Sequence, residues 1–206
     1  MSESRGLIHT MSRFLKTLAA PVVIAALLLP GQSALHAQGS AGKKKAETPA
    51  CGPRVWIEYT DDDPDYFIVK NRSARGWSLE MIAFDLSQSA GRLVFDPDTG
   101  GAGVGGASEF MPDSNSSIRL IGTVPAQDGG RTLSLQFENF AESRDYTFYI
   151  DLDATPSDGG RTWVLPADMA GTRVLAAFRG PTGQTDRVDA MFNANAEADS
   201  GAGGCV

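Results

Sequence analysis

The chain has 206 residues, with 25 acidic against 18 basic side chains and a formal charge of −7. From Cys51 onward 23 acids face 12 bases, a surface that repels phosphate backbones and draws cations, so nucleic acid is excluded as an expected partner. The only histidines, His9 and His36, precede that segment. Its chemistry is therefore neither Ser-His-Asp nor Cys-His, and it offers no histidine for zinc.

Taken in order, the chain opens with Arg13 and Lys16, the apolar run Leu18–Leu29, Pro30-Gly31 and "QSALHA". This is the order of a secretory signal, expected over 1–37 with Met11 as an alternative start. The run is too short to span a bilayer, so no integral membrane segment is expected after cleavage. Residues 38–50, "QGSAGKKKAETPA", are small, polar and basic and read as a linker. One domain is expected over 51–206, in the periplasm or secreted. Cys51 and Cys205 sit at its two ends, and in an exported chain such a pair predicts a disulfide stapling the termini.

Within that domain the pattern is strand after strand. Val55, Ile57 and Tyr59 alternate with polar or amphipathic residues over 54–60, and the turn cluster "DDDPD" separates this run from 66–71. Further strands are expected over 77–87, 91–96, 117–124, 131–140, 145–153, 161–166, 172–180 and 186–194, with a helical turn within 166–171. Turn residues recur between the runs, and no long amphipathic helix is visible. The expectation is an all-β fold: an antiparallel β-sandwich, jelly-roll-like, of about eight to ten strands, with a closed barrel as the alternative. "DGGRT" occurs at 128–132 and again at 158–162, and each copy reads as a tight turn needing positive φ.

The stretch "LVFDPDTGGAGVGGASEF", 93–110, carries a literal GxGxxG at Gly101, Gly103 and Gly106. A dinucleotide fingerprint needs a helix after the glycines, and here Pro112 follows with no helical period. Asp96 and Asp98 also mimic the opening of an EF-hand loop, but Ala107 stands where the bidentate glutamate belongs. A calcium site built from several β-loops needs no such loop, because Ca²⁺ accepts carboxylates and carbonyls in loose geometry. Its candidate ligands are Asp96, Asp98, Asp151, Asp153 and Asp158, with Asp61, Asp62, Asp63 and Asp65 as a further acidic cluster. Solvated turn aspartates are the competing reading of all of them. No other cofactor is expected.

Carboxylate catalysis would draw on Glu58, Glu80, Asp85 or Glu138, two of them flanking a sugar. Trp56, Trp77 and Trp163 would be the stacking residues, unless they fill the core. Asn71 and Asn115 match the short glycosylation pattern, which has many chance occurrences.

One ordered series spans Asp65 to Phe178: "DYFIVKN", "FDLSQSAGRLVFD…GGAGVGG", "DGGRTLSLQFENF", "YTFYIDLD" and "MAGTRVLAAF". It resembles the small exported proteobacterial proteins known as aggregation factor core proteins. The resemblance implies an exported β-rich domain, adhesive and calcium-dependent, and transfers no site residues. The cysteine that family carries soon after the asparagine of "VKN" has no counterpart in Arg72–Gly76, so its disulfide pattern is not carried over. The expected function is binding or adhesion toward a surface or extracellular partner, protein or glycan, with no catalytic residue assigned. A carbohydrate-binding module or carboxylate-dependent glycoside hydrolase is the alternative.

Overall fold

The computed structural model describes residues 51–112, 116–124, 126–155 and 160–201. These form two five-stranded antiparallel sheets and a two-stranded ribbon. The strands are β1 (Val55–Thr60), β2 (Tyr66–Asn71), β3 (Ser78–Asp85), β4 (Leu93–Phe95), β5 (Met111–Pro112) and β6 (Arg119–Val124). They continue with β7 (Thr132–Ala141), β8 (Arg144–Tyr149), β9 (Leu152–Ala154), β10 (Arg173–Arg179), β11 (Thr185–Met191) and β12 (Glu197–Asp199). The first sheet runs β12-β1-β2-β8-β5, the second β11-β10-β3-β7-β6, and β4 pairs with β9. The expected all-β sandwich is the fold.

Alternation sets which face each strand buries. Val55, Ile57 and Tyr59 of β1 and Phe67 and Val69 of β2 point inward from the first sheet. Leu133, Leu135 and Phe137 of β7 and Val174, Ala176 and Phe178 of β10 point inward from the second. Aromatic rings join the layers. Phe67 stacks on Phe148 within the first sheet at 4.9 Å and meets Phe84 of the second at 5.1 Å. Phe137 meets Tyr146 edge-on across the sandwich at 5.1 Å. Each such side chain contributes about 1.5–3 kcal/mol by leaving water, so this cluster dominates the core. Where the alternation slips, the ladder slips with it. In β3 the buried set changes phase between Leu79 and Ile82, and the register to β7 shifts between Leu79 and Met81.

Asn71 is a buried polar residue that closes a gap in the backbone pairing. Its Nδ2 donates to the carbonyls of Trp77 and Phe140, and its Oδ1 accepts from the Ser73 amide. The amide nitrogen a glycan would occupy is thus committed inside the core. Asn115 lies outside the described residues, as does Cys205, on which the predicted disulfide depends.

Three sequence expectations are corrected. The run 145–153 is two strands, because the chain leaves the first sheet at Ile150 and Asp151. Asp65 directs this break: its carbonyl accepts the Ile150 amide and its Oδ2 accepts the Leu152 amide. Residues 161–166 form no strand. Pro166 and Asp168 draw them into the 3₁₀ turn Pro166–Met169, where Asp168 Oδ2 accepts from the Leu165 amide and from Arg161. The short strands β5 and β12 have no apolar run behind them and are held by pairing with β8 and β1. The expected helical turn within 166–171 is present as that 3₁₀ turn. No helix among the described residues is long and apolar enough to cross a membrane.

Candidate metal centre

Four loops deliver carboxylates to one place. Asp96 follows β4, and its amide donates to the Asp151 carbonyl at 3.0 Å, which fixes the two residues side by side. Asp153 sits on β9, whose pairing with β4 places it opposite Val94. Asp128 belongs to the first "DGGRT" turn, which two backbone bonds clamp to Phe95: Phe95 N to the Gly130 carbonyl, and Gly129 N to the Phe95 carbonyl. Asp65 closes the set from the β1–β2 turn, its Oδ2 accepting from Tyr59 Oη at 2.8 Å.

Asp96, Asp151 and Asp153 each offer an oxygen, and these oxygens all lie within 4.8 Å of one another. That span suits a hard cation, since two ligands at ~2.4 Å from one ion stand at most about 5 Å apart. Burial is deep: Asp96 is 2% exposed and Asp153 1%. Asp96 Oδ1, Asp128 Oδ1 and Asp151 Oδ2 are buried and accept no hydrogen bond from the described residues. Polar atoms so placed ordinarily have partners, and an ion is one.

The glycine-rich loop is the cover of this cluster. Two of its amides point inward, Ala102 N donating to Asp128 Oδ2 at 2.8 Å and Val104 N to Asp153 Oδ2 at 2.8 Å, and Gly103 between them packs against the Asp96 carboxylate. Amides so turned form an anion-holding concavity. Only glycine fits at its centre. A methyl group on Gly103 would lie 2.4 Å from Asp96 Oδ2 and 2.5 Å from Asp153 Oδ2, and one on Gly101 would lie 2.2 Å from Asp128 Oδ1. The GxGxxG thus cradles the protein's own carboxylates, not a phosphate.

The electrostatic strain shows in the acids themselves. Burial, then the Asp153 charge, pushes Asp151 up to about 7. Burial raises Asp153 to about 6 against the opposing Val104 amide. Asp65 rises to about 6 by burial, although its three hydrogen bonds pull the other way. Asp96 is also raised, by burial and then by the neighbouring Asp128 carboxyl. The Tyr59 hydroxyl, buried beside Asp65, is pushed far up and stays a donor. A divalent cation reverses this penalty by supplying the missing positive charge.

Of the predicted ligands, Asp96, Asp151 and Asp153 converge. Asp98 is exposed and stands apart from the group; its carbonyl accepts the Gly101 amide in the turn that starts the glycine loop. Asp158 lies outside the described residues. Asp61, Asp62 and Asp63 are exposed, and Asp61 Oδ1 accepts from Val164 N at 3.5 Å. Of the further acidic cluster only Asp65 is buried beside the group, and Asp128 joins it without having been singled out. Asp128 was hidden because "DGGRT" reads fully as a turn.

The carboxylates of the catalytic alternative are dispersed. Glu58 lies on the first sheet, paired with Lys70 at 2.7 Å. Asp85 caps the turn that follows β3, accepting from Ser87 N at 2.9 Å. Glu80 and Glu138 do line one open groove of about 440 Å³ on the second sheet. Each is engaged there by its own arginine, Arg179 and Arg119. Trp77 is buried, and Trp163 is exposed beyond the strands. No protein-family model, curated protein or solved structure matches the chain.

Proposed function

We propose that the chain is an exported β-sandwich that binds Ca²⁺ through Asp96, Asp151 and Asp153 and serves in binding or adhesion at the cell surface or in the periplasm. The observation that carries this reading is the convergence of three carboxylates with orphaned oxygens under a loop of inward amides. All-oxygen donors at this spacing favour a hard cation, and the compact size of the group over several loops suits the flexible coordination of Ca²⁺. Ordering four loops at one place gives the ion a structural task, and a loop cluster on a rigid sandwich is a common place for partner recognition. The signal-like leader, the acidic surface and the aggregation-factor resemblance support export and adhesion.

Calorimetric titration of the metal-stripped chain with Ca²⁺ tests the ion: heat with saturation is expected, and a flat titration removes calcium from the account. Beads coated with the chain test adhesion. Clustering, or capture of bacterial cells, is expected in Ca²⁺ and is lost on adding chelator. Indifference to both would leave the adhesive reading without support.

A further inference from the structure

One cation leaves this cluster unfinished. An ion held by Asp96, Asp151 and Asp153 satisfies the group whose oxygens lie within 4.8 Å of one another, and Asp128 is outside that group. Yet Asp128 Oδ1 is buried without a partner among the described residues, as is Asp96 Oδ1. The turn that carries Asp128 is clamped by two backbone hydrogen bonds to Phe95, the residue before Asp96. Buried carboxylate oxygens ordinarily have partners, and a cation would supply one to both.

We infer that the centre holds two divalent cations, with Asp96 bridging a first ion on Asp151 and Asp153 to a second ion on Asp128. Asp96 is built for this position. It is 2% exposed, one of its oxygens lies within 4.8 Å of one on Asp153, and its neighbour Phe95 holds the turn that carries Asp128. The glycine loop serves both halves: Val104 N holds Asp153 Oδ2 and Ala102 N holds Asp128 Oδ2. Those amides occupy one oxygen of each acid and leave Asp128 Oδ1 open.

This inference rests on the calcium reading above, and stoichiometry separates the two. Equilibrium dialysis of the metal-stripped chain against CaCl₂ counts bound ions with no variant needed. Two Ca²⁺ per chain are expected. One per chain overturns the second site and keeps the first; none overturns both. Asp128→Asn then locates the second ion. It is expected to lower the count from two to one, with the remaining affinity within about tenfold of the original, while circular dichroism in chelator stays that of the parent. A count of two in that variant places the second ion elsewhere and overturns the assignment. Should the variant not fold, Gly101→Ala reports on the same half, because its methyl would crowd Asp128 Oδ1; a count of two there again refutes it.

Discussion

Asp151→Asn separates the two forces acting at the acidic end of the sandwich. In the metal-free protein the Asp151 carboxylate is a liability: burial and the Asp153 charge carry it from 3.8 to about 7. At ~1.4 kcal/mol per tenfold change in proton affinity, the ionised form costs up to about 4 kcal/mol near pH 8. The side chain is part-exposed, and solvent screening lowers this to about 1–2 kcal/mol. The amide removes that charge at nearly constant shape. The chelated variant should therefore melt above the chelated parent by roughly 2–8 °C, at about 2–4 °C per kcal/mol for a domain of this size. In calcium the order reverses, because the variant has lost a ligand and gains little from the ion. Differential scanning calorimetry of both proteins, each with chelator and with excess Ca²⁺, gives the four values needed. A variant that is less stable than the parent in chelator, yet keeps the full calcium shift, would refute both the strain and the ligand role.

Other outcomes follow from the same geometry. Gly103→Ala drives a methyl onto Asp96 and Asp153; the expected cost is about 1–3 kcal/mol from overpacking, read as a lower urea midpoint, together with loss of calcium binding. Stability of the chelated protein should rise on acidification from about pH 8 to about pH 5. The sign follows because Asp65, Asp151 and Asp153 hold their protons to about 6, 7 and 6 in the folded chain. The native state then binds more protons than the unfolded one across that window, so protonation favours folding, and a melting temperature that fell with pH would contradict it. Phe67→Ala removes the ring that meets Phe148 and Phe84 and should cost about 3–5 kcal/mol by denaturant unfolding. The calcium-induced shift should survive in that variant if it still folds.

The sheets were legible because their strands are amphipathic with a period of two. Val55, Ile57 and Tyr59, or Leu133, Leu135 and Phe137, announce a face that must be covered. What escaped was set by single side chains acting across the fold. The run through Tyr146, Phe148, Ile150 and Leu152 alternates without fault, and only Asp65, far away in sequence, breaks it by capturing the Ile150 and Leu152 amides. The pattern at 161–166 gives way to the Asp168 carboxylate at its end. The acidic centre was half visible for the same reason. Asp96, Asp151 and Asp153 drew attention by their spacing, but Asp128 sat in a turn motif that already explained it. The glycine loop could not announce its task, since the carboxylates it covers come from other loops.

Calcium binding by the buried aspartates shows first in thermal unfolding of the unaltered chain, with chelator and then with Ca²⁺ in excess. At a free calcium of about a hundred times the dissociation constant, binding adds ~2.7 kcal/mol, which raises the melting temperature by roughly 5–11 °C in a domain of this size. That rise is expected, reversed by chelator and largely lost in Asp151→Asn. Superimposable melts with and without calcium would contradict it.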